Sequence, residues 1–303
     1  MHIYLPIAGQ SVNALVMILL GFGVGVLSGM FGIGGGFLTT PLLIFYGIPP
    51  TVAVASATTQ ITGASVSGAM VHMRRGGVDL KMAGVMIAGG LLGSLVGAAL
   101  FRVLQASGQI DVVISLLYVL VLGWIGAIML KESLGALGVV PAKAPDPQAP
   151  HHNRWIASLP LRWRFYRSGL YISPIAPLAI GFLAGVMTVL LGIGGGFILV
   201  PAMIYLLGMP ARVVIGTSLV MILTVSAGTT MVHSLTTRAV DIVLAALLLV
   251  GGVIGAQYGA ILTTRLKPDY LRLALAVIIL LVAVRMFLGL FWRPDEIFSI
   301  ESL

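Results

Sequence analysis

Long apolar runs dominate the chain, and most are long enough for a helix that crosses a lipid bilayer. Such a helix needs about 20 mostly apolar residues. Runs of about this length occur at 12–30, 52–72, 82–104, 110–130, 213–233, 243–264 and 270–292. Each of these runs predicts a membrane-spanning helix.

Three shorter apolar runs lie beside two clusters of glycine. Residues 37–47 and 197–208 each follow a cluster, and residues 175–190 precede the second one. Their length predicts half-helices or a short span. The whole pattern predicts an all-α polytopic membrane protein with about eight full spans plus half-helices. No Lys or Arg precedes the run at 12–30, so we expect a retained helix there and not a cleaved signal peptide.

Composition supports the membrane prediction and excludes several other classes. The 303 residues are 59% hydrophobic and only 9% charged, against about 25% charged in a typical soluble domain. The absence of cysteine excludes disulfides, thiolate metal sites and thiol redox chemistry. The net charge of +8 comes from cations beside apolar runs, where they orient the protein and contact anionic lipid. We therefore expect membrane lipid and no nucleic acid as a partner, and no cofactor or metal ion.

The chain contains an internal repeat. Residues 21–50 recur as 181–210 with 13 of 30 positions identical and no gap. The match predicts two homologous halves, a first transmembrane repeat at 12–131 and a second at 175–292. The shared segments include Gly32-Ile33-Gly34-Gly35-Gly36-Phe37 with Gly192-Ile193-Gly194-Gly195-Gly196-Phe197, Met70-Val71-His72 with Met231-Val232-His233, and Gly89, Gly93 and Gly97 with Gly251, Gly255 and Gly259.

Residues 132–174 form a linker between the halves. Four prolines fall within 141–150, and cations alternate with aromatic residues across 154–167. The second part is typical of a segment that lies in the lipid headgroup layer, although a docking site for a partner protein is an alternative. We expect the linker on the cytoplasmic side.

The number of membrane elements in each half decides the relative orientation of the repeats. Five elements give inverted repeats and place 13 of the 17 Lys and Arg residues on the cytoplasmic side. Four elements give parallel repeats and place the cations of 265–272 outside. Because Lys and Arg concentrate on the cytoplasmic side, we favour inverted repeats, each with a glycine-broken helix.

The doubled Gly-Ile-Gly-Gly-Gly-Phe…Pro segment, each time followed by a hydroxyl-rich helix, resembles the sulfite exporter TauE/SafE family, also called the TSUP permeases. The hydroxyl-rich segments are Ser56-Ala57-Thr58-Thr59 and Gly216-Thr217-Ser218. The resemblance covers both halves and implies transport of sulfite, thiosulfate, organosulfonates or related small anions across the inner, cytoplasmic membrane. The proline-rich linker departs from the simplest members of that family.

The glycine clusters are the first candidate site. Each glycine costs a helix about 1 kcal/mol relative to alanine, and a broken helix is tolerated in a bilayer only where it is buried or lines a cavity. The N–H groups at the start of the following half-helix carry partial positive charge and favour an anion. Close helix packing is the alternative role. The candidate residues are Gly34, Gly35, Gly36, Gly194, Gly195 and Gly196.

The hydroxyl-rich helices supply the other candidates. Ser56, Thr59 and Gln60 share one helical face at 52–72, and Thr217 lies in the equivalent helix. These side chains would donate hydrogen bonds to an oxyanion. Small-residue packing, with hydroxyls bonded back to the helix, is the alternative, and the glycine ladders are assigned to packing.

The charged residues favour an anion pathway. All nine Asp and Glu residues fall in loops, tails or at helix ends, whereas cation carriers usually need carboxylates inside the membrane. His72, His233 and Arg285 are interpreted as residues near the membrane interface. The alternatives are that the two histidines titrate near neutral pH and that Arg285 attracts substrate.

We therefore expect a secondary transporter of small sulfur-containing oxyanions working by alternating access, with a homodimer as one option for its assembly. A carrier of another small carboxylate or oxyanion is an alternative. An intramembrane Ser/His enzyme is a second alternative, but no Gly-x-Ser-x-Gly motif occurs, and we expect no enzyme. A non-transporting assembly or lipid-binding protein is a third.

Overall fold

Helices make up most of the structure, a computed structural model that describes residues 2–31, 36–136, 160–263 and 268–291. Side chains are not described at 31, 67, 71, 211, 212, 260, 263 and 268–272. The first half contains β1 (His2–Leu5), β2 (Gln10–Asn13), α1 (Ala14–Phe31), α2 (Gly36–Phe45), α3 (Pro50–Arg74), α4 (Leu80–Ala106) and α5 (Ile110–Ala136).

The second half repeats this order of elements. It contains β3 (Trp163–Phe165), β4 (Leu170–Ile172), α6 (Ile175–Leu191), α7 (Gly196–Pro201), α8 (Ala211–Val232), α9 (Ile242–Thr263) and α10 (Pro268–Phe291), with π-helical turns at Ala202–Leu206 and His233–Thr237. The predicted duplication therefore extends to the secondary structure, and α1 to α5 correspond to α6 to α10.

Five helices of the described ranges are long and apolar enough to cross a membrane. They are Leu80–Ala106, Ile110–Gly135, Val213–Thr237, Ile242–Gly259 and Leu273–Phe291. Four apolar helices are shorter: Ala14–Met30, Gly36–Phe45, Ile175–Leu191 and Gly196–Leu206. The result fits a polytopic membrane protein, although five helices meet the criterion where the sequence predicts about eight full spans.

The difference comes partly from α3, which the apolar run at 52–72 predicts as a span. Its 25 residues include seven Ser or Thr and one Gln, and it is not among the five apolar helices. Residues 52–58 are all buried. A helix that other helices surround needs no apolar surface for lipid, so protein packing replaces the lipid that the apolar run suggests.

Two short antiparallel hairpins correct the all-α prediction. In the first, Leu5 pairs with Gln10, and in the second, Phe165 pairs with Leu170. The turns match as well, since Gly9 and Gly169 both have φ +67°. The second hairpin falls inside the segment assigned to the linker. Strands of three or four residues are too short for an alternating pattern to reveal them.

The main helix contacts each join a helix of one half to a helix of the other half. In the described structure α1 packs on α9, and its counterpart α6 packs on α4, while α3 packs on α8 and α5 on α10. The glycine ladders permit these contacts. A Cβ atom added at Gly93 would lie 2.0 Å from the carbonyl oxygen of Phe182, and one at Gly255 would lie 2.1 Å from that of Phe22. The predicted packing role of the ladders is confirmed.

The central helices α3 and α8 run in opposite directions. A Cβ atom at Gly68 would meet the Leu219 side chain at 3.1 Å, and one at Gly216 would meet the Cβ of His72 at 3.0 Å. As residue numbers rise along α3, the numbers of the facing residues on α8 therefore fall. The number of a residue on α3 and the number of the residue that faces it on α8 add to about 287. The start of each helix therefore lies beside the end of the other.

Candidate functional site

The second glycine cluster breaks the helix as its sequence predicts. Helix α6 ends at Leu191 and α7 begins at Gly196, and the residues between them are non-helical and buried. Gly194 and Gly195 have φ values of +70° and +74°, a region that side chains with a Cβ rarely adopt. The predicted site residues Gly34 and Gly35 lie outside the described residues.

The starts of the two half-helices meet in the protein interior. A Cβ atom at Gly36 would lie 2.7 Å from the carbonyl oxygen of Gly192, so the start of α2 contacts the break between α6 and α7. Phe37 and Phe197, equivalent in the repeat, stack with ring centroids 4.7 Å apart and planes at 5°. Both rings are almost fully buried. The first N–H groups of a helix lack acceptors within that helix, and the two helix starts bring such groups close together. In α7, the N–H groups of Ile198 and Leu199 already donate to the carbonyl oxygen of Gly195 (3.0 and 2.8 Å).

Gln60 joins three elements at this level. Its Oε1 accepts a hydrogen bond from the Thr39 hydroxyl of α2 (3.0 Å), and its Nε2 donates to the carbonyl oxygen of Leu248 in α9 (3.4 Å). The side chain is 4% exposed. The predicted polar residue therefore lies near the breaks, with its amide already holding α2 and α9 to α3.

The predicted hydroxyl groups are not all brought together. Ser56 and Thr217 lie near the starts of the antiparallel helices α3 and α8. Thr217 faces position 70 of α3, which puts it about 21 Å along the axis from Ser56 at 1.5 Å per residue. Thr59 donates to the carbonyl oxygen of Ala55 (3.1 Å). Gly36, Gly194, Gly195, Gly196 and Gln60 form the central group, while Ser56 and Thr217 lie towards opposite ends.

Ser56 and Thr217 each bind an aspartate of the other half. The backbone N–H of Asp79 donates to Oγ1 of Thr217 (3.0 Å), and that of Asp241 donates to Oγ of Ser56 (3.2 Å). Both carboxylates are buried. The sequence places these aspartates in loops, which is correct, but does not reveal their burial. The sequence signal that could have identified these aspartates is their equivalent position in the two repeats, as Val78-Asp79 and Val240-Asp241.

Each aspartate also binds the hairpin of the opposite half. Oδ2 of Asp79 accepts from the N–H of Ser168 (3.0 Å) and from its hydroxyl (2.7 Å), and Oδ2 of Asp241 accepts from the N–H of Ile7 (3.1 Å). The second oxygen of each carboxylate caps its own helix, accepting from Met82 in α4 and from Leu244 in α9. Main-chain N–H groups thus donate to both carboxylates, and the Asp79 carboxylate also accepts from a hydroxyl group.

The two histidines have different surroundings despite their equivalent positions. His233 is buried, with Nε2 3.1 Å from the carbonyl oxygen of Val189 and its ring against Phe101. His72 is half-buried at the end of α3. Arg285 is exposed, with its guanidinium 5.2 Å from the ring centroid of Phe45 at the end of α2. Neither His72 nor Arg285 lies at the central break.

Comparison with known proteins identifies the family that this architecture represents. The model of the family described as "Sulfite exporter TauE/SafE" matches residues 17–286, nearly the whole chain. No solved structure matches the chain.

Two curated relatives match over almost their full length, and a third matches over a quarter of its length. A "Probable membrane transporter protein" of Xylella fastidiosa is 27% identical over 277 residues, covering 91% of this chain and 92% of the relative. The "Probable membrane transporter protein YjnA" of Bacillus subtilis is 28% identical, covering 89% and 98%. "Sulfite exporter TauE/SafE family protein 2" of Arabidopsis thaliana is 33% identical over 117 residues, covering 38% of this chain and 25% of that protein.

Proposed function

The chain belongs to the TauE/SafE sulfite exporter family of membrane transporters, and from this premise we propose that it moves small sulfur-containing oxyanions across the cytoplasmic membrane by alternating access. The substrate class is sulfite, thiosulfate or an organosulfonate. The anion would bind at the central breaks, with Gly34, Gly35 and Gly36 on one side and Gly194, Gly195 and Gly196 on the other.

The observation that carries the proposal is the meeting of two half-helix starts around the Phe37–Phe197 stack. Helix starts supply N–H donors and partial positive charge without any ionised side chain. Transporters of this general design bind substrate where their repeats meet, at breaks in their helices. Gln60 would contribute one further amide beside the breaks. Thr59, Ser56 and Thr217 would contact the anion along the route on either side.

The proposed mechanism uses inverted repeats. The antiparallel α3 and α8 support a two-fold axis in the membrane plane, because repeats related in that way point in opposite directions. The cations support the same arrangement. Lys81 donates to the carbonyl oxygen of Arg164 (3.1 Å) and lies over the Trp163 ring, so the start of α4 and the second hairpin lie on one face. The positive charges of this face support a cytoplasmic location.

The surroundings of His233 do not support an intramembrane Ser/His enzyme. Nδ1 of His233 lies 3.3 Å from the Thr237 hydroxyl, but that hydroxyl donates to the carbonyl oxygen of His233 itself (2.9 Å). A nucleophile needs its proton directed at the base. The contact between His233 and Thr237 is therefore typical of residues one helical turn apart and does not form a pair of base and nucleophile.

Counterflow in proteoliposomes tests the proposal. Purified protein is reconstituted, the vesicles are loaded with unlabelled sulfite, thiosulfate or methanesulfonate, and uptake of the labelled anion is measured. We expect a transient accumulation for at least one of these anions that protein-free vesicles lack. Absence of exchange for all three anions, in vesicles shown to contain folded protein, would reject the oxyanion assignment.

A further inference from the structure

Ser65 and Ser226 belong to a group of six buried polar side chains that have an atom without a hydrogen-bond partner in the described structure; the others are Gln10, Thr40, Ser133 and Thr230. Ser65 on α3 is 2% exposed and Ser226 on α8 is fully buried. Other hydroxyls of α3 donate to a carbonyl oxygen one turn earlier, as Thr62 does to Thr58 (3.0 Å). Burying a hydroxyl group without a partner is unfavourable, so both serines require an explanation.

The two serines occupy equivalent positions in the internal repeat. The Met-Val-His match between the halves sets an offset of 161 residues, and this offset takes Ile61 to Ile222 and Ser65 to Ser226. A single unpaired hydroxyl could be an accident of packing. Two at equivalent positions indicate a feature that both halves retain in the folded protein.

Both serines lie on the helix faces through which α3 and α8 contact each other. Ser65 is three residues before Gly68, where an added Cβ would meet Leu219 at 3.1 Å. Ser226 is seven residues, or two turns, after Leu219. Residues spaced by three, four or seven positions share a helical face, so each hydroxyl belongs to the α3–α8 interface.

The two serine hydroxyl groups are close together along the axes of α3 and α8. Facing positions of the antiparallel helices sum to about 287, which places Ser226 level with Ile61, one turn from Ser65. One turn of four residues is about 6 Å along the axis. A hydroxyl donates over about 2.8 Å, so one small oxyanion with two or more oxygens would reach both groups.

The glycine residues at the starts of α2 and α7 lie at the same position along α3 and α8 as the two serines. A Cβ at Gly36 would lie 1.9 Å from Cδ1 of Ile61, and a Cβ at Gly194 would lie 2.8 Å from Cγ2 of Ile61 and 3.3 Å from Cγ2 of Ile222. Each isoleucine therefore lies directly against a break. Each serine is one helical turn beyond its isoleucine, beside the region where the half-helices start.

Charge restricts the kind of anion. Every Lys and Arg whose side-chain burial is described is exposed, so no described cation is buried with the two serines. Neutral hydroxyls and N–H groups compensate one negative charge far more readily than two in an apolar interior. A dianion would need a cation beside it.

We propose that Ser65 and Ser226 donate the side-chain hydrogen bonds that bind a singly charged oxyanion, such as an organosulfonate or hydrogensulfite, between α3 and α8. The inference rests on the proposed transport function and specifies its substrate charge and two binding residues. The hydroxyls lack protein partners because the substrate supplies the acceptor.

The test compares Ser65→Ala, Ser226→Ala and the double variant with Ser94→Ala. Ser94 is also a serine with 2% exposure, but its hydroxyl donates to the carbonyl oxygen of Gly90 (2.9 Å) and contacts Thr229 (3.1 Å). The KM for radiolabelled methanesulfonate is measured by counterflow. Binding is measured separately by the rise in unfolding midpoint with methanesulfonate or sulfate.

We expect each single variant to raise the KM on the order of tenfold, as loss of a hydrogen bond to a charged group does, and the double variant to abolish stabilisation by methanesulfonate. Without ligand, the unfolding midpoints of Ser65→Ala and Ser226→Ala should equal or exceed that of the wild type, because neither hydroxyl has a partner to lose. Ser94→Ala should lower the midpoint and leave the KM unchanged. A merely structural role for Ser65 and Ser226 would lower their midpoints instead.

The outcomes separate this inference from the transport proposal. Wild-type counterflow with an unchanged KM in the double variant rejects the serine site and retains transport. Stabilisation by methanesulfonate that the double variant loses, without wild-type counterflow of any oxyanion, retains the site and rejects transport. Equal stabilisation by sulfate rejects the requirement for a single charge. No stabilisation and no counterflow in the wild type reject both proposals.

Discussion

The backbone N–H of Asp79 donates a 3.0 Å hydrogen bond to Oγ1 of Thr217, a residue 138 positions away in the other half. The same bond occurs between Asp241 and Ser56. Each aspartate thus connects the start of a long helix in its own half to the start of the polar central helix in the other. The paired bonds fix the α3–α8 pair at both of its ends.

Removing the Asp79 carboxylate should destabilise the fold more than it affects substrate binding. Asp79→Ala loses the cap of α4, a contribution of about 0.5–2 kcal/mol, and leaves the Ser168 N–H without its acceptor. We expect a lower unfolding midpoint for the purified protein and an unchanged substrate Kd at temperatures where it remains folded. Asp111→Ala, at an exposed helix start, is the control. An unchanged midpoint with lost affinity would instead place the carboxylate in the binding site.

Two glycines of α4 should respond differently to alanine. A Cβ atom at Gly93 would lie 2.0 Å from a backbone oxygen of α6, whereas one at Gly84 would have nothing within 4 Å. Gly93→Ala must separate α4 from α6 and should greatly reduce the yield of folded protein. Gly84→Ala should be neutral or stabilise by up to about 1 kcal/mol, because alanine favours helix. Size-exclusion profiles and unfolding midpoints measure both, and equal behaviour would refute the packing role.

Gly195→Val should abolish transport in protein that still reaches the membrane. The substitution adds a side chain at the break, where a Cβ would already lie 3.0 Å from the Cβ of Ala184, and the φ of +74° adds strain of about 1–2 kcal/mol. The comparison is Gly123→Val, in α5, where an added Cβ has nothing within 4 Å. Counterflow and membrane abundance are measured together. Wild-type counterflow in the Gly195 variant would limit this glycine to a packing role.

Gln60→Leu should weaken substrate binding by roughly 1–3 kcal/mol, the effect of losing a buried donor. The structure adds a second effect, because Oε1 of Gln60 accepts from Thr39 and its Nε2 donates to Leu248. The unfolding midpoint should therefore fall as well. Substrate titration and thermal unfolding separate the two effects. An unchanged Kd together with a lower midpoint would show that the amide serves only to join α2, α3 and α9.

Cysteine labelling tests the inverted arrangement, since the chain contains no native cysteine. Tyr4 and Tyr166 are exposed residues of the two hairpins, at 63% and 80% exposure. Inverted repeats place these hairpins on opposite sides of the membrane. A membrane-impermeant maleimide should label Tyr4→Cys in intact cells, and Tyr166→Cys only after permeabilisation. Labelling of both variants from outside would favour parallel repeats.

The repeat, the long helices and the glycine ladders follow from the sequence because each leaves a periodic or repeated pattern. The break at 192–195 follows from the low helix propensity of glycine. The hairpins leave no comparable pattern. Pairing between Asp79 and Ser168 spans 89 residues, and no local signal specifies such a partner.

The candidate site was only partly predictable for a related reason. A hydroxyl-rich helix identifies α3, but not which of its hydroxyls bond back to the helix. Thr59 does so and Ser65 does not, and only the packing of neighbouring helices distinguishes them. Aligning the halves at an offset of 161 would have paired Ser65 with Ser226 from the sequence alone.

During synthesis, the hairpin at the start of the chain leaves the ribosome well before its acceptor exists. Ile7 and Asp241 are separated by 234 residues, a delay of roughly 10–50 s at typical elongation rates of about 5–20 residues per second. Ser168 follows Asp79 by only 89 residues, so the acceptor of the second hairpin has already been synthesised when that hairpin emerges. The second hairpin can therefore bind its partner while the second half is still being made, whereas the first hairpin cannot attach until synthesis has reached Asp241.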